Sequence, residues 1–269
     1  MNLTELVELE KSFENIFFSE KDHSYFINGV KSKGSVTQII KKYTKPFETE
    51  KIAKIVAARD GVSLEDVLGK WEFAREYACH RGTALHSYVE NFMARRKAPV
   101  DSYGIQNFVR KYPDYISVEK YYNELAQFIA TFQAFYKWWK ERYIIVKSEL
   151  VVGDKRTGIC GCIDNVSYDL EKNQLCLFDY KTNKEIKTKN KEKLLGPLSH
   201  LDNCELNIYS LQLCIYSLIL SRNTSFQIKE LPQILWMSSN CYELIPIKPL
   251  YEEAEFLLNE YTFIVDVQE

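Results

Sequence analysis

GICGCIDNVSYDLEKNQLCLFDYK, residues 158–181, is the stretch on which the reading of this chain turns. It holds two apolar runs of strand length, joined at Glu171–Asn173 by residues that favour a turn. One run carries Asp164 and the next carries Asp179, Tyr180 and Lys181. On an extended strand, residues two apart project to one face, so Asp179 and Lys181 point together. Both interrupt the apolar run Leu175–Phe178, which should be buried, and a buried charge is costly without a partner. An Asp from the neighbouring strand completes a pocket of hard oxygen donors beside an ammonium, which suits Mg²⁺ or Mn²⁺. Such a pocket has the parts that hydrolysis of a phosphodiester requires.

Working outward, YIIVKSELVVG precedes this stretch and reads as a third strand, turning near Asp154–Gly158. Three consecutive strands with short connections predict an antiparallel meander. A helix is predicted over Cys204 to Leu220, then strands LPQILWM and YELIPIK, and a closing helix over Tyr251 to Tyr261. Upstream, residues 16–31 read as a β-hairpin turning at Asn28-Gly29. Ser35 or Thr37 caps a short helix, a second runs from Pro46 to a stop at Gly61, and Ser63 with Asp66 has capping-box spacing for a third. GTALHSYVENFMARRK begins another helix, with Leu85, Val89, Phe92 and Met93 on one face. Residues 98–120, with Pro99, Gly104 and Pro113, read as irregular. A long aromatic helix follows over Tyr122 to Arg142.

This order predicts an α/β fold with a mixed sheet flanked by helices and an N-terminal helical elaboration. Residues 1–79 form the elaboration and 80–269 the core, with a helical insertion at about 98–142, packed as one compact unit. The net charge of −2 excludes a globally basic nucleic-acid binder, so any such surface must be a local patch. The acidic N-terminus lacks the regions of a signal peptide, and the longest apolar stretch, Leu211 to Leu220, is too short to span a bilayer. The expectation is a cytoplasmic protein. Seven scattered cysteines fit reduced core thiols, and the C-x-C pair Cys160/Cys162 lacks zinc-ligand spacing.

Two polar pairs stand out on helices. His86 and Glu90 share a face beside the small residues Gly82, Thr83 and Ala84, which permit close approach. Gln212 and Tyr216 share a face of an otherwise apolar helix, where a polar pair needs a specific partner. The order GTALH, GCID, DYK, QLCIY resembles the pattern G-T-x-x-H, G-x-x-D, D-x-K, Q-x-x-x-Y of the PD-(D/E)XK nuclease superfamily. It is most similar to the RecB-like branch, which includes CRISPR-adaptation nucleases, the mitochondrial genome maintenance exonuclease and phage exonucleases. The resemblance covers residues 80–220.

It implies a restriction-endonuclease-like αβββαβ core. It also implies that Asp164, Asp179, His86 and the Tyr180 carbonyl hold Mg²⁺ or Mn²⁺, with Glu90 or Glu149 as further candidates. Lys181 would orient the attacking water or stabilise charge, and Gln212 and Tyr216 would position the lysine, water or DNA backbone. Some relatives hold an iron–sulfur cluster through one early cysteine and a late trio. Here Cys204, Cys214 and Cys241 are too dispersed for that trio, and no cluster is expected.

The implied activity is a metal-dependent DNA exonuclease of phage-type recombination, replication or DNA processing, in a bacterial or phage-infected cell, with a recombination or replication protein as a conceivable partner. The alternatives are an endonuclease on the same core and a catalytically silent DNA-binding subunit. Six lysines against two glutamates in residues 181–193 make Lys184, Lys187, Lys189, Lys191 and Lys193 candidates for phosphate contact. Arg95 and Arg96 form a second patch. Tyr121, Tyr122, Trp138 and Trp139 suit either base stacking or core packing, and helical spacing favours the core.

Overall fold

The structure is a computed structural model and describes residues 3–262. In chain order the elements are α1 (Leu3–Ser12), β1 (Ile16–Ser19), β2 (Ser24–Ile27), β3 (Val30–Lys31), β4 (Gly34–Ser35), α2 (Val36–Lys41), α3 (Thr49–Asp60), α4 (Leu64–Met93), α5 (Ser102–Lys111) and α6 (Val118–Trp139). Then come β5 (Tyr143–Asp154), β6 (Ile159–Asp169), β7 (Gln174–Lys181), α7 (Glu205–Asn223), β8 (Gln233–Met237), β9 (Tyr242–Pro246) and α8 (Tyr251–Asn259). The fold is α/β. A mixed six-stranded sheet lies between helical layers, and the core order from α4 is interrupted by α5 and α6 before β5-β6-β7-α7-β8.

Period-two alternation builds the two layers. Along β7, Leu175 and Leu177 face the aliphatic core made with α2, α7 and α8, while Cys176, Phe178 and Tyr180 face the aromatic core made with α4, α5 and α6. The aromatic layer is centred on Phe132, Phe135, Tyr121 and Trp139, all fully buried. Of the four candidate stacking aromatics, Tyr121 and Trp139 are thus core and Tyr122 packs against them, while Trp138 stays exposed.

The meander β5-β6-β7 is antiparallel, as its alternation and turns predict. β8 then joins β7 in parallel, because α7 supplies the crossover that parallel pairing needs. Three features depart from the sequence reading. The two helices expected on either side of Gly82 are one 30-residue helix, α4. Gly82 costs about 1 kcal/mol in a helix interior, and here it brings α4 near the end of β7, where a Cβ would meet Thr182 Oγ1 at 3.5 Å. Residues 98–120 are not irregular throughout but contain α5, capped by Asp101 and buried through Ile105, Phe108 and Val109. The two-residue β4 adds a sixth strand, parallel to the start of β6.

Two caps follow the predicted chemistry. Ser35 and Gln38 form a reciprocal capping box on α2, and the Ser63 hydroxyl accepts the Asp66 N–H at the start of α4. Among the described residues, no helix is long and apolar enough to cross a membrane.

Candidate metal centre at a fork in the sheet

One edge of β6 is shared by two strands that do not meet. β4 pairs with Ile159 and Cys160, and β7 pairs with Asn165 to Asp169. Residues 161–164, the Gly-Cys-Ile-Asp of the motif, lie in the gap. The β6–β7 register pairs Asn165 with Phe178, which sets Asp164 against Asp179 as the ladder ends. There the Asp164 carboxylate replaces a backbone partner and accepts the Tyr180 N–H at 2.7 Å. The β6–β7 ladder ends here, and helices from both layers reach its open edge.

From the aromatic layer, α4 delivers His86. Its Nε2 lies 3.2 Å from the Tyr180 carbonyl, while Nδ1 lies 3.7 Å from Glu149 and 3.8 Å from Asp164. Glu149 sits on β5 between Ser148 and Leu150, which pair with Asn165 and Ile163. Its φ of 48° is left-handed, a conformation uncommon outside glycine that stores strain and marks sites where a side chain must be aimed. Its carboxylate also accepts the Cys162 thiol at 3.2 Å. Donor atoms of His86, Glu149 and Asp164 lie within 4.8 Å of one another. Two carboxylates and an imidazole match Mg²⁺ or, better, Mn²⁺. The Tyr180 carbonyl, a predicted ligand, faces the imidazole and orients it, as carbonyls behind ligating histidines do.

From the aliphatic layer, α7 delivers Gln212 and Tyr216. Gln212 Nε2 reaches Asp179 Oδ1 at 3.5 Å and the Tyr216 hydroxyl at 3.4 Å. Asp179 is otherwise paired with Lys181, so its carboxylate stands beside the three-donor group and not within it. The Lys181 ammonium also lies 4.7 Å over the ring of Tyr209. Gly161 is explained by the same helix: a Cβ there would sit 2.6 Å from the Tyr216 ring. Tyr180 itself is fixed from the other face, where Asn165 Nδ2 donates to its hydroxyl at 2.6 Å.

The electrostatics follow from burial and from three clustered acids. Burial pushes the Asp179 carboxyl up and the Asp164 charge adds to this, against the Lys181 ammonium. Burial by itself would lower the His86 pKa, but Asp164 and Glu149 outweigh it and push it up to about 9. Burial opposes the Lys181 ammonium as well, and Asp179 and Asp164 reverse that, raising it above its ordinary value.

The other predicted residues are placed as follows. Glu90, one turn beyond His86, is turned to Arg96 at 2.7 Å and lies outside the donor group, so of the two candidate acids Glu149 is the one that joins His86. Arg95 and Arg96 lie past the end of α4, with Arg95 at φ 55°. Lys184, Lys187, Lys189, Lys191 and Lys193 are exposed along the segment leaving β7; Lys193 pairs with Asp202 and Lys187 with Glu185.

Two residues went unread in the sequence. Tyr209 falls at i, i+3, i+7 with Gln212 and Tyr216, a one-face spacing that would have found it. Arg81 lies between the Tyr77 and Phe128 rings and donates to Glu124 and the Thr182 carbonyl, and no local pattern announces it. No family model matches the chain, and neither does any curated protein.

Proposed function

We propose that the chain is a Mg²⁺- or Mn²⁺-dependent nuclease that hydrolyses DNA with little sequence preference, acting as an exonuclease of the PD-(D/E)XK type. The observation that carries this reading is the fork, which gathers donor atoms of His86, Glu149 and Asp164 within 4.8 Å of one another and sets the Asp179–Lys181 pair beside them. His86, Glu149 and Asp164 would hold the cation. When bound, it would supply the Lewis acidity that polarises a phosphodiester and eases ionisation of the attacking water.

The chain's own groups do the rest. Lys181, held by Asp179 and the Tyr209 ring, presents a fixed positive charge where the phosphorane develops negative charge. Gln212 holds the Asp179 carboxylate, and the Tyr216 ring packs on Gly161 and closes the crevice from the α7 side. The Tyr180 N–H and carbonyl lock Asp164 and His86 from the backbone, so that the donors need little reorganisation.

The test is degradation of an end-labelled linear single-stranded oligonucleotide and a covalently closed single-stranded circle, with Mn²⁺, with Mg²⁺ and with EDTA. The reading expects metal-dependent loss of the linear substrate and intact circles. Cut circles would replace it with an endonuclease. DNA binding without cleavage in either metal would replace it with a silent DNA-binding subunit.

A further inference from the structure

Lys181 is the last residue of β7, and the sheet stops supporting the chain there. The ladder to β6 has already ended at Asn165 and Phe178, and the pairing to β8 ends at Lys181 itself, opposite Trp236. Beyond it, two side chains take the place of strand partners. The Trp236 indole N–H donates to the Asn183 carbonyl at 2.8 Å, and Arg81 Nη2 donates to the Thr182 carbonyl at 3.4 Å.

Arg81 shares α4 with His86, whose Nε2 lies 3.2 Å from the Tyr180 carbonyl. The two carbonyls met by this helix are therefore those on either side of Lys181. Five residues separate Arg81 from His86, about 7.5 Å along a helix axis, and two residues of extended chain span about 7 Å. The spacings match, so one rigid helix grips the backbone at two points that straddle Lys181.

The guanidinium is held in place for this reach. Its Cζ lies 4.3 Å from the centre of the Phe128 ring and 5.2 Å from that of Tyr77, and Nη1 donates to Glu124 Oε2 at 3.3 Å. The Tyr77 hydroxyl donates to the same oxygen at 2.6 Å. The Arg81 side chain is only 15% exposed, and its Nε is buried with no partner among the described residues. A largely buried ion pair with an unsatisfied donor adds little stability over well-packed apolar side chains. Stability does not account for a charge at this place, and the contact with the Thr182 carbonyl does.

We infer that Arg81 is a positioning residue: set by Glu124 and Tyr77, it fixes the backbone that carries Lys181, and so the place of the Lys181 ammonium beside the metal donors. Asp179 and the Tyr209 ring hold the tip of that side chain, and Arg81 holds its root. The inference rests on the nuclease reading for the reaction that this positioning serves.

The test compares Arg81→Met and Glu124→Gln with wild type, each alone and combined with Lys181→Ala. Methionine keeps the packing between the two rings and removes the donors. Amide hydrogen exchange is read in EDTA, and steady-state cleavage of a linear dT20 oligonucleotide is read in Mn²⁺. In Arg81→Met, the amides of residues 181–183 should exchange about tenfold faster, with the melting temperature near wild type. Its kcat should fall about 10²-fold, the scale of a misplacement of about 1 Å, with KM within about twofold of wild type. On the Lys181→Ala background the same substitution should cost less than about twofold, because the group it positions is gone. Glu124→Gln leaves Arg81 a neutral acceptor, keeps the fold if Arg81→Met loses it, and should lower kcat about fivefold, again only where Lys181 is present.

Unchanged exchange at 181–183 in both variants, or equal losses of kcat with and without Lys181, would overturn the inference. Faster exchange in a protein whose wild type does not cleave keeps the grip on β7 and removes the nuclease reading. Cleavage by wild type, with both variants at full kcat, removes the role of Arg81 and keeps the nuclease.

Discussion

The β6–β7 pair buries an aspartate at each end, and the two have opposite lives. Asp169, at the turn, is fully buried, and its Oδ2 accepts both Nε and Nη2 of Arg142 while Oδ1 accepts the N–H groups of Glu171 and Lys172. Asp179, at the fork, is 2% exposed, and beyond Lys181 it has only a 3.5 Å contact with Gln212. Burial raises both carboxyls. At Asp169 the Arg142 and backbone hydrogen bonds overcome it, and the pKa ends below its ordinary value; at Asp179 the Lys181 ammonium does not, and it ends above. The saturated acid is committed to the fold, and the under-saturated one, beside His86, Glu149 and Asp164, stands where the proposed nuclease reading puts its chemistry.

The comparison breaks most sharply on activity. Lys181→Ala should lower metal-dependent cleavage by about 10³-fold, the scale of a lost preorganised charge, with circular dichroism unchanged; wild-type turnover would remove Lys181 from the site. Asp169→Asn should leave turnover per folded molecule intact but destabilise the chain by about 2 kcal/mol in urea, since it removes the charge of a fully buried carboxylate that accepts hydrogen bonds from Arg142 and from two backbone N–H groups. A loss of activity without a loss of stability would dissolve the contrast. Gly161→Ala probes the fork between them. The added Cβ must displace the Tyr216 ring, and overpacking of this kind costs about 2 kcal/mol; an unfolding midpoint equal to wild type would show that α7 yields freely.

The smallest effect is in the pH dependence of stability, measured in EDTA. The Asp169 pKa is depressed on folding, so its stabilisation is complete above the unfolded value of about 3.9 and is lost as pH falls through the folded value. Asp169→Asn should flatten the acid limb. The Asp179 pKa is raised to about 6, so the folded state holds the extra proton and stability declines as pH climbs from about 3.9 towards 6. Asp179→Asn should remove that decline, and slopes of the same sign at both positions would refute the assignment.

The meander, the crossover helix α7 and the closing strands were legible because alternation and turn residues are local signals. β4 was not, because two residues carry no period, and α5 was masked by Gly104 between Pro99 and Pro113. In the site, Asp179 and Lys181 were legible as a same-face pair, and His86, Gln212 and Tyr216 through helical spacing. The choice between Glu90 and Glu149 was not legible. It depends on a left-handed backbone at Glu149 and on Arg96 folding back to Glu90, and neither has a signature in residue order.

By itself, then, the sequence determined which side chains share a strand face or a helix face, because those periods are set by backbone geometry within a few residues. Only the tertiary structure decided that β4 and β7 divide one edge of β6, that α4 and α7 reach the opening from opposite layers, and that Asp179 turns to Lys181 while Asp164 and Glu149 turn to His86. A charge takes its partner from whatever the fold brings near, and that proximity is made by contacts far apart in the chain.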